Sequence, residues 1–126
     1  LEEFDGICIF ATNNPEGYDE AFNRRLTAHI GFTLPCASQI RNILYQHFPN
    51  KNALSPCVDF SQIGKEYEQI FSGGDLKNVV LNAARIAAYD NSHHEKKIRQ
   101  VHLDQAVELV KHGKGMLSMG KPEYYG

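Results

Sequence analysis

A mainly α-helical chain, four helices preceded by a short α/β stretch of two strands and one helix, is what this sequence predicts. Three observations carry that expectation. The apolar, partly β-branched run Ile7-Cys8-Ile9-Phe10 has the length and composition of a buried strand. Beyond Pro35 the apolar spacing changes to the helical one, with Ile40, Ile43, Leu44 and Phe48 on a single face. Further on, Ser72-Gly73-Gly74-Asp75 places a capping hydroxyl three residues before an acid, ahead of a long apolar stripe.

In chain order, the spacing predicts a strand over 6–12 and a turn at Asn14-Pro15-Glu16-Gly17. A short helix over 19–25 follows, with Asp19 as N-cap. Ala28-His29-Ile30-Gly31-Phe32-Thr33-Leu34 reads as a second strand, stopped by Pro35. The first helix of the next region ends at Phe48-Pro49-Asn50, and a polar loop runs to Val58. Phe60, Ile63, Tyr67, Ile70 and Phe71 line a second helix, capped by Asp59 with Gln62 completing a capping box. The third carries Leu76, Val79, Val80, Ala83, Ala84 and Ala87, the alanines allowing close helix approach. After a charged loop over 90–99, Leu103, Ala106, Val107 and Val110 form a fourth, stopped near Gly113. The division is then 1–35, an α/β remnant; 36–114, a helical domain; and 115–126, an irregular tail. Two strands alone do not make a stable sheet, so they need further partners.

Composition sets the outer bounds. At 126 residues, with 42 % hydrophobic and 22 % charged residues, the chain can bury a core of its own. A net charge of −2 argues against a global field for nucleic acid. No apolar run approaches membrane-spanning length, and Leu1-Glu2-Glu3 lacks the apolar segment of a signal peptide. The expected location is cytoplasmic. The first residue is not Met, which reads as a cut or processed end. Cys8, Cys36 and Cys57 form no C-x-x-C pair and read as free thiols. His93-His94-Glu95 lacks the spacing of a metal site, and Cys36 lacks a base that would make it a nucleophile.

The chemistry-bearing residues point to nucleotide handling. Asn13 stands at the tip of the first strand, where ligands of open α/β sheets bind, and an amide both donates and accepts without charge. Arg24 and Arg25 are two permanent, fork-shaped cations suited to phosphate.

Together these segments resemble the C-terminal part of the AAA+ ATPase module, from Leu1 to about Lys111. Ile9-Phe10-Ala11-Thr12-Asn13 looks like the strand ending in the sensor-1 asparagine. Asp19-Glu20-Ala21-Phe22-Asn23-Arg24-Arg25 resembles the arginine-finger segment, and Phe32-Thr33-Leu34-Pro35 the last core strand and hinge. Ser72-Gly73-Gly74-Asp75-Leu76-Lys77 matches the start of the lid helix bearing sensor 2.

The resemblance implies catalytic roles for Asn13, Arg24 and Arg25. It implies that Gly73, Gly74 and Asp75 approach adenine, and that Lys77 approaches the phosphates. Arginine is common at the Lys77 position in the superfamily. It further implies ATP and Mg2+ as cofactors of a longer protein, self-assembly into a ring, usually a hexamer, and work on a protein substrate.

Gly-Lys occurs at Gly64-Lys65, Gly113-Lys114 and Gly120-Lys121, none within a G-x-x-x-x-G-K-[ST] phosphate loop, and no strand ends in paired Walker B acids. The segment by itself is therefore expected neither to hold Mg-ATP tightly nor to hydrolyse it. The reading from a different class is a helical adaptor or oligomerisation module with no nucleotide role.

Overall fold

The computed structural model describes residues 5–13 and 20–115. The chain divides into two units, Leu1–Phe32 and Thr33–Gly126.

In the first unit α1 spans Glu20–Arg25 and buries none of its residues. Phe10 and Phe22 meet edge to face with ring centroids 5.4 Å apart. Among the described residues no strand forms over 6–12 or 28–34, contrary to the sequence expectation. The reason lies in the side chains. Ile7, Ile9, Ile30 and Phe32 are all at least 79 % exposed, so nothing rewards the ordering of either segment. The predicted turn at 14–17, the Asp19 cap and all of the predicted 115–126 tail beyond Gly115 lie outside the described residues.

The second unit is helical, as predicted, and its helices are α2 (Ala37–His47), α3 (Ser61–Tyr67), α4 (Gly73–Tyr89) and α5 (Gln100–Gly113). A short 3-10 turn, Lys51–Ala53, lies between α2 and α3. α4 packs most extensively on α5, while α2 packs on both α3 and α4. Ile40, Leu44, Phe71, Leu76, Val79 and Leu103 are fully buried at the centre. Each such side chain contributes about 1.5–3 kcal/mol over its exposed state.

Local chemistry sets the helix ends. The Glu68 carboxylate accepts from the Ala37 N–H at 3.1 Å, and Gln39 Oε1 accepts from the Cys36 N–H at 2.9 Å, so two orphan donors at the start of α2 are satisfied. The N-cap of α3 is Phe60 rather than the predicted Asp59, which stands one residue earlier and accepts from the Ser61 N–H at 2.9 Å through its Oδ1. Gln62 does not complete a box; it pairs with Glu66 one turn on.

α3 stops at Tyr67, four residues before Phe71, where Glu68 turns extended and Gln69 then takes a left-handed backbone with φ 61°. That turn returns the Gln69 N–H to the Pro35 carbonyl at 3.0 Å and its amide to the Leu34 carbonyl at 3.0 Å. Phe71 still reaches the core and stacks on Tyr67 at 4.4 Å, whereas Ile70 is left exposed. Ala84 is exposed as well; the buried stripe of α4 is Leu76, Val79, Val80, Ala83 and Ala87.

Candidate functional site at the start of α4

Four of the predicted ligand-facing residues share the first turn and a half of α4. Ser72, extended at φ −81° and ψ 170°, is the N-cap. Its hydroxyl accepts from the Asp75 N–H at 3.1 Å, and Asp75 Oδ2 accepts from the Ser72 N–H at 2.9 Å. This reciprocal pair satisfies two orphan donors. Asp75 Oδ2 also accepts from Lys114 Nζ at 2.9 Å, tying the start of α4 to the end of α5. Burial alone would raise the Asp75 carboxyl. The Lys114 ammonium and the Ser72 donors outweigh it and hold the group below the usual carboxylate range.

Gly73 and Gly74 are exposed. A Cβ at Gly73 would meet nothing within 4 Å, and one at Gly74 only the Ser72 hydroxyl oxygen at 3.7 Å. No packing within the chain therefore requires either glycine, although each weakens a helix by about 1 kcal/mol relative to alanine. Lys77 is exposed on the side of α4 away from the core. The exposed glycines and the unfilled space beside them leave the backbone at the start of α4 open to close approach by a ligand, while the Asp75 carboxylate already answers the positive end of the helix.

Asn13, Arg24 and Arg25 belong to the first unit, and all three are exposed. Arg24 lies 3.7 Å from Glu20, with side chains 79 % and 91 % exposed. An i,i+4 pair this open is worth about 0.3–0.5 kcal/mol, so Glu20 does not hold the guanidinium against a stronger anion.

Sequence reasoning passed over one buried polar junction. His102 is 3 % exposed at the head of α5, the first of its buried residues. Its Nδ1 accepts from the Arg99 N–H at 2.9 Å, and its Nε2 lies 2.7 Å from Asp90 Oδ2. With Nδ1 accepting, the ring proton sits on Nε2 and is donated to Asp90. Asp90 also accepts from the Ser92 N–H at 2.9 Å and from its hydroxyl, and these donors with His102 hold its carboxyl well below the usual range. Lys96 closes the C-terminal end of α4 on the Ala88 and Asp90 carbonyls. The signal was available: a histidine three residues after Arg99, at the head of a helix, can fill a capping role. Among the described residues no cluster of three metal-ligating side chains occurs. Cys8, Cys36 and Cys57 are free thiols, Cys8 and Cys57 exposed.

The site is thus a capped helix start with two unforced glycines, in a chain that also carries exposed arginines in a separate unit. No protein-family profile matches the chain. It is 33 % identical over 115 residues to the outer mitochondrial transmembrane helix translocase of Danio rerio, covering 86 % of this chain and 31 % of that protein. It is 37 % identical over 119 residues to the ATP-dependent zinc metalloprotease FtsH 1 of Methylacidiphilum infernorum, covering 87 % of this chain and 18 % of that protein. The human translocase is 31 % identical over 118 residues, at 86 % and 32 % coverage.

The chain spans about a third or less of these curated relatives. These similarities, which run over most of the chain, support a relationship to AAA+ ATPases. They also correct the cytoplasmic expectation, since the translocases are named for the outer mitochondrial membrane. Composition describes the surface of a domain and carries no address. Among the described residues no helix is long and apolar enough to cross a membrane.

Proposed function

We propose that residues 1–114 form the C-terminal part of an ATP-hydrolysing AAA+ module, the helical unit acting as its lid. The observation that carries this is the 37 % identity over 87 % of the chain to a protein named as ATP-dependent. The two glycines that the fold itself does not need add to it. On this reading they let an adenine approach the backbone of α4, beside the Ser72–Asp75 cap. Lys77, one turn on, faces the phosphates. Asn13 orients the attacking water, and Arg24 with Arg25 reaches the phosphoryl group of a neighbouring copy in a ring. Arg24 suits that task because its ion pair with Glu20 is weak and open to solvent.

The complete protein would supply the phosphate loop, the Mg2+ ligands and the remaining strands. It would use hydrolysis to remodel a protein substrate. A ring of copies, a hexamer in the family, follows from a finger that acts in trans.

The test is made in the full-length protein. Arg24→Ala is expected to leave nucleotide affinity within a few-fold and to lower ATP turnover by about 10³-fold or more. Unchanged turnover would remove the finger role. Asn13→Ala should also lower turnover with nucleotide still bound. Loss of nucleotide binding on Gly73→Val, with the fold intact by circular dichroism, would locate the adenine side.

A further inference from the structure

We propose that Lys114, at the end of α5, is a positioning residue for nucleotide: it fixes and neutralises the Asp75 carboxylate beside which the ligand approaches α4. Lys114 has this role only on the ATPase reading of the α4 start proposed above.

Two helix ends meet at this junction. The Lys114 backbone is the C-cap of α5, its N–H donating to the Val110 and Lys111 carbonyls at 3.0 and 3.2 Å. Its side chain crosses to α4, 39 residues back in the chain, and donates to Asp75 Oδ2 at 2.9 Å. That same oxygen accepts from the Ser72 N–H at 2.9 Å. One carboxylate oxygen therefore joins the cap of α4 to the end of α5. Gly73 and Gly74, the two glycines that no packing requires, lie between the capping residues Ser72 and Asp75.

A pair with side chains 35 % and 17 % exposed adds little to stability, but it decides the charge at the start of α4. Asp75 is the acid of the first turn. Left alone, its carboxylate would meet the phosphates of an incoming nucleotide as a like charge. The Lys114 ammonium cancels that charge and, with the Ser72 donors, keeps Asp75 an ionised acceptor for the Ser72 N–H. The open space at Gly73 admits the ligand, and the neutralised cap beside it removes the repulsion.

Lys111, three residues earlier, provides the matched comparison. Its ammonium pairs with Glu108 at 3.2 Å and lies 5.9 Å from the centre of the Tyr67 ring. It fastens the same end of α5 to α3 rather than to α4. A general loosening of this helix end would follow from removing either lysine, whereas a loss at the ligand would follow from removing Lys114 alone.

The experiment measures the affinity of fluorescent mant-ADP and the turnover of ATP in the full-length protein. Lys114→Met is expected to weaken mant-ADP binding and to raise the KM for ATP by about fivefold, with turnover at saturating ATP within about twofold. Lys114→Arg, which keeps the charge, should restore most of the affinity, and Lys111→Met should leave it unchanged. In an Asp75→Asn background, which has no carboxylate to neutralise, Lys114→Met should weaken binding no further. The assignment is overturned if Lys114→Met binds like the unmodified protein, if Lys114→Arg rescues nothing, or if Lys111→Met weakens binding equally. It is equally overturned if the full loss persists in the Asp75→Asn background, which would place Lys114 on the ligand itself. Gly73→Val separates this assignment from the ATPase reading. If Gly73→Val loses mant-ADP and Lys114→Met does not, the reading stands and the role of Lys114 falls; if Gly73→Val binds normally, both fall.

Discussion

The two units treat similar side chains in opposite ways. In the helical unit Ile40 and Phe71 are fully buried, and among the described residues sixteen apolar side chains close into one core. In the first unit Ile9 is 89 % and Phe32 93 % exposed. Both regions are apolar in sequence, so composition does not separate them. What separates them is where each backbone finds its hydrogen-bond partners. A helix satisfies its own N–H and C=O groups and needs neighbours only for one face. A strand needs another strand on each side before its side chains can be covered. Among the described residues the helical unit supplies four helices to one another, whereas the first unit supplies a six-residue helix and segments without regular structure.

That contrast can be broken by substitution. The largest expected effect is Phe71→Ala, which should destabilise the helical unit by about 3–5 kcal/mol. Phe32→Ala should stay within about 0.5 kcal/mol, because no contact is lost. Urea midpoints of the two variants check both, and a comparable loss in each would erase the distinction.

Glycine sharpens it next. A Cβ at Gly64 would lie 2.7 Å from the Ala37 carbonyl oxygen, a backbone atom that cannot swing aside. Gly64→Ala should therefore cost about 1–3 kcal/mol in thermal melts. Gly73→Ala should instead be neutral or stabilise by up to about 1 kcal/mol, since its space is open and the helix gains a better former. A stabilised chain that also loses nucleotide in the full-length protein would mark Gly73 as kept for the ligand.

Smaller still is Ser72→Ala, expected to cost about 1 kcal/mol through the lost cap of α4.

Acidity gives the most gradual response. Asp75 and Asp90 are both held below the unfolded carboxylate value of about 3.9. Groups depressed on folding contribute stability that is complete above that value. The contribution drains as pH falls from there through the folded values. Denaturant midpoints should thus decline as pH is lowered below about 4, and less steeply in Asp75→Asn than in the unmodified chain. An identical slope in the two would detach Asp75 from the effect.

The helical half was legible because its rules are local. Period-3.6 stripes located α2, α4 and α5, and the Ser72–Asp75 spacing located a cap that the structure reproduces bond for bond. The misses were tertiary. Ile70 and Ala84 fit a helical stripe, yet one lies beyond the left-handed Gln69 and the other is left exposed on α4. Gly64 was noticed only as half of a failed phosphate motif, while its real task is the close approach of α3 to α2. His102 was passed over because its partners, Arg99 and Asp90, become evident only once the loop before α5 is folded back. The strands were read correctly as apolar and wrongly as formed, since the pattern of one strand does not contain its neighbour. For the candidate site, the cap and the glycines were visible beforehand. The freedom of the space beside Gly73 was not.

Amide hydrogen exchange on the full chain tests the central distinction most directly. Val79, Val80 and Ala83 in α4 should exchange only through near-global opening, while Ile7, Ile9, Ile30 and Phe32 exchange close to the rate of an unstructured peptide. Protection at Ile7 and Ile9 equal to that at Val79 would mean that these segments have found sheet partners after all, and the account would fail.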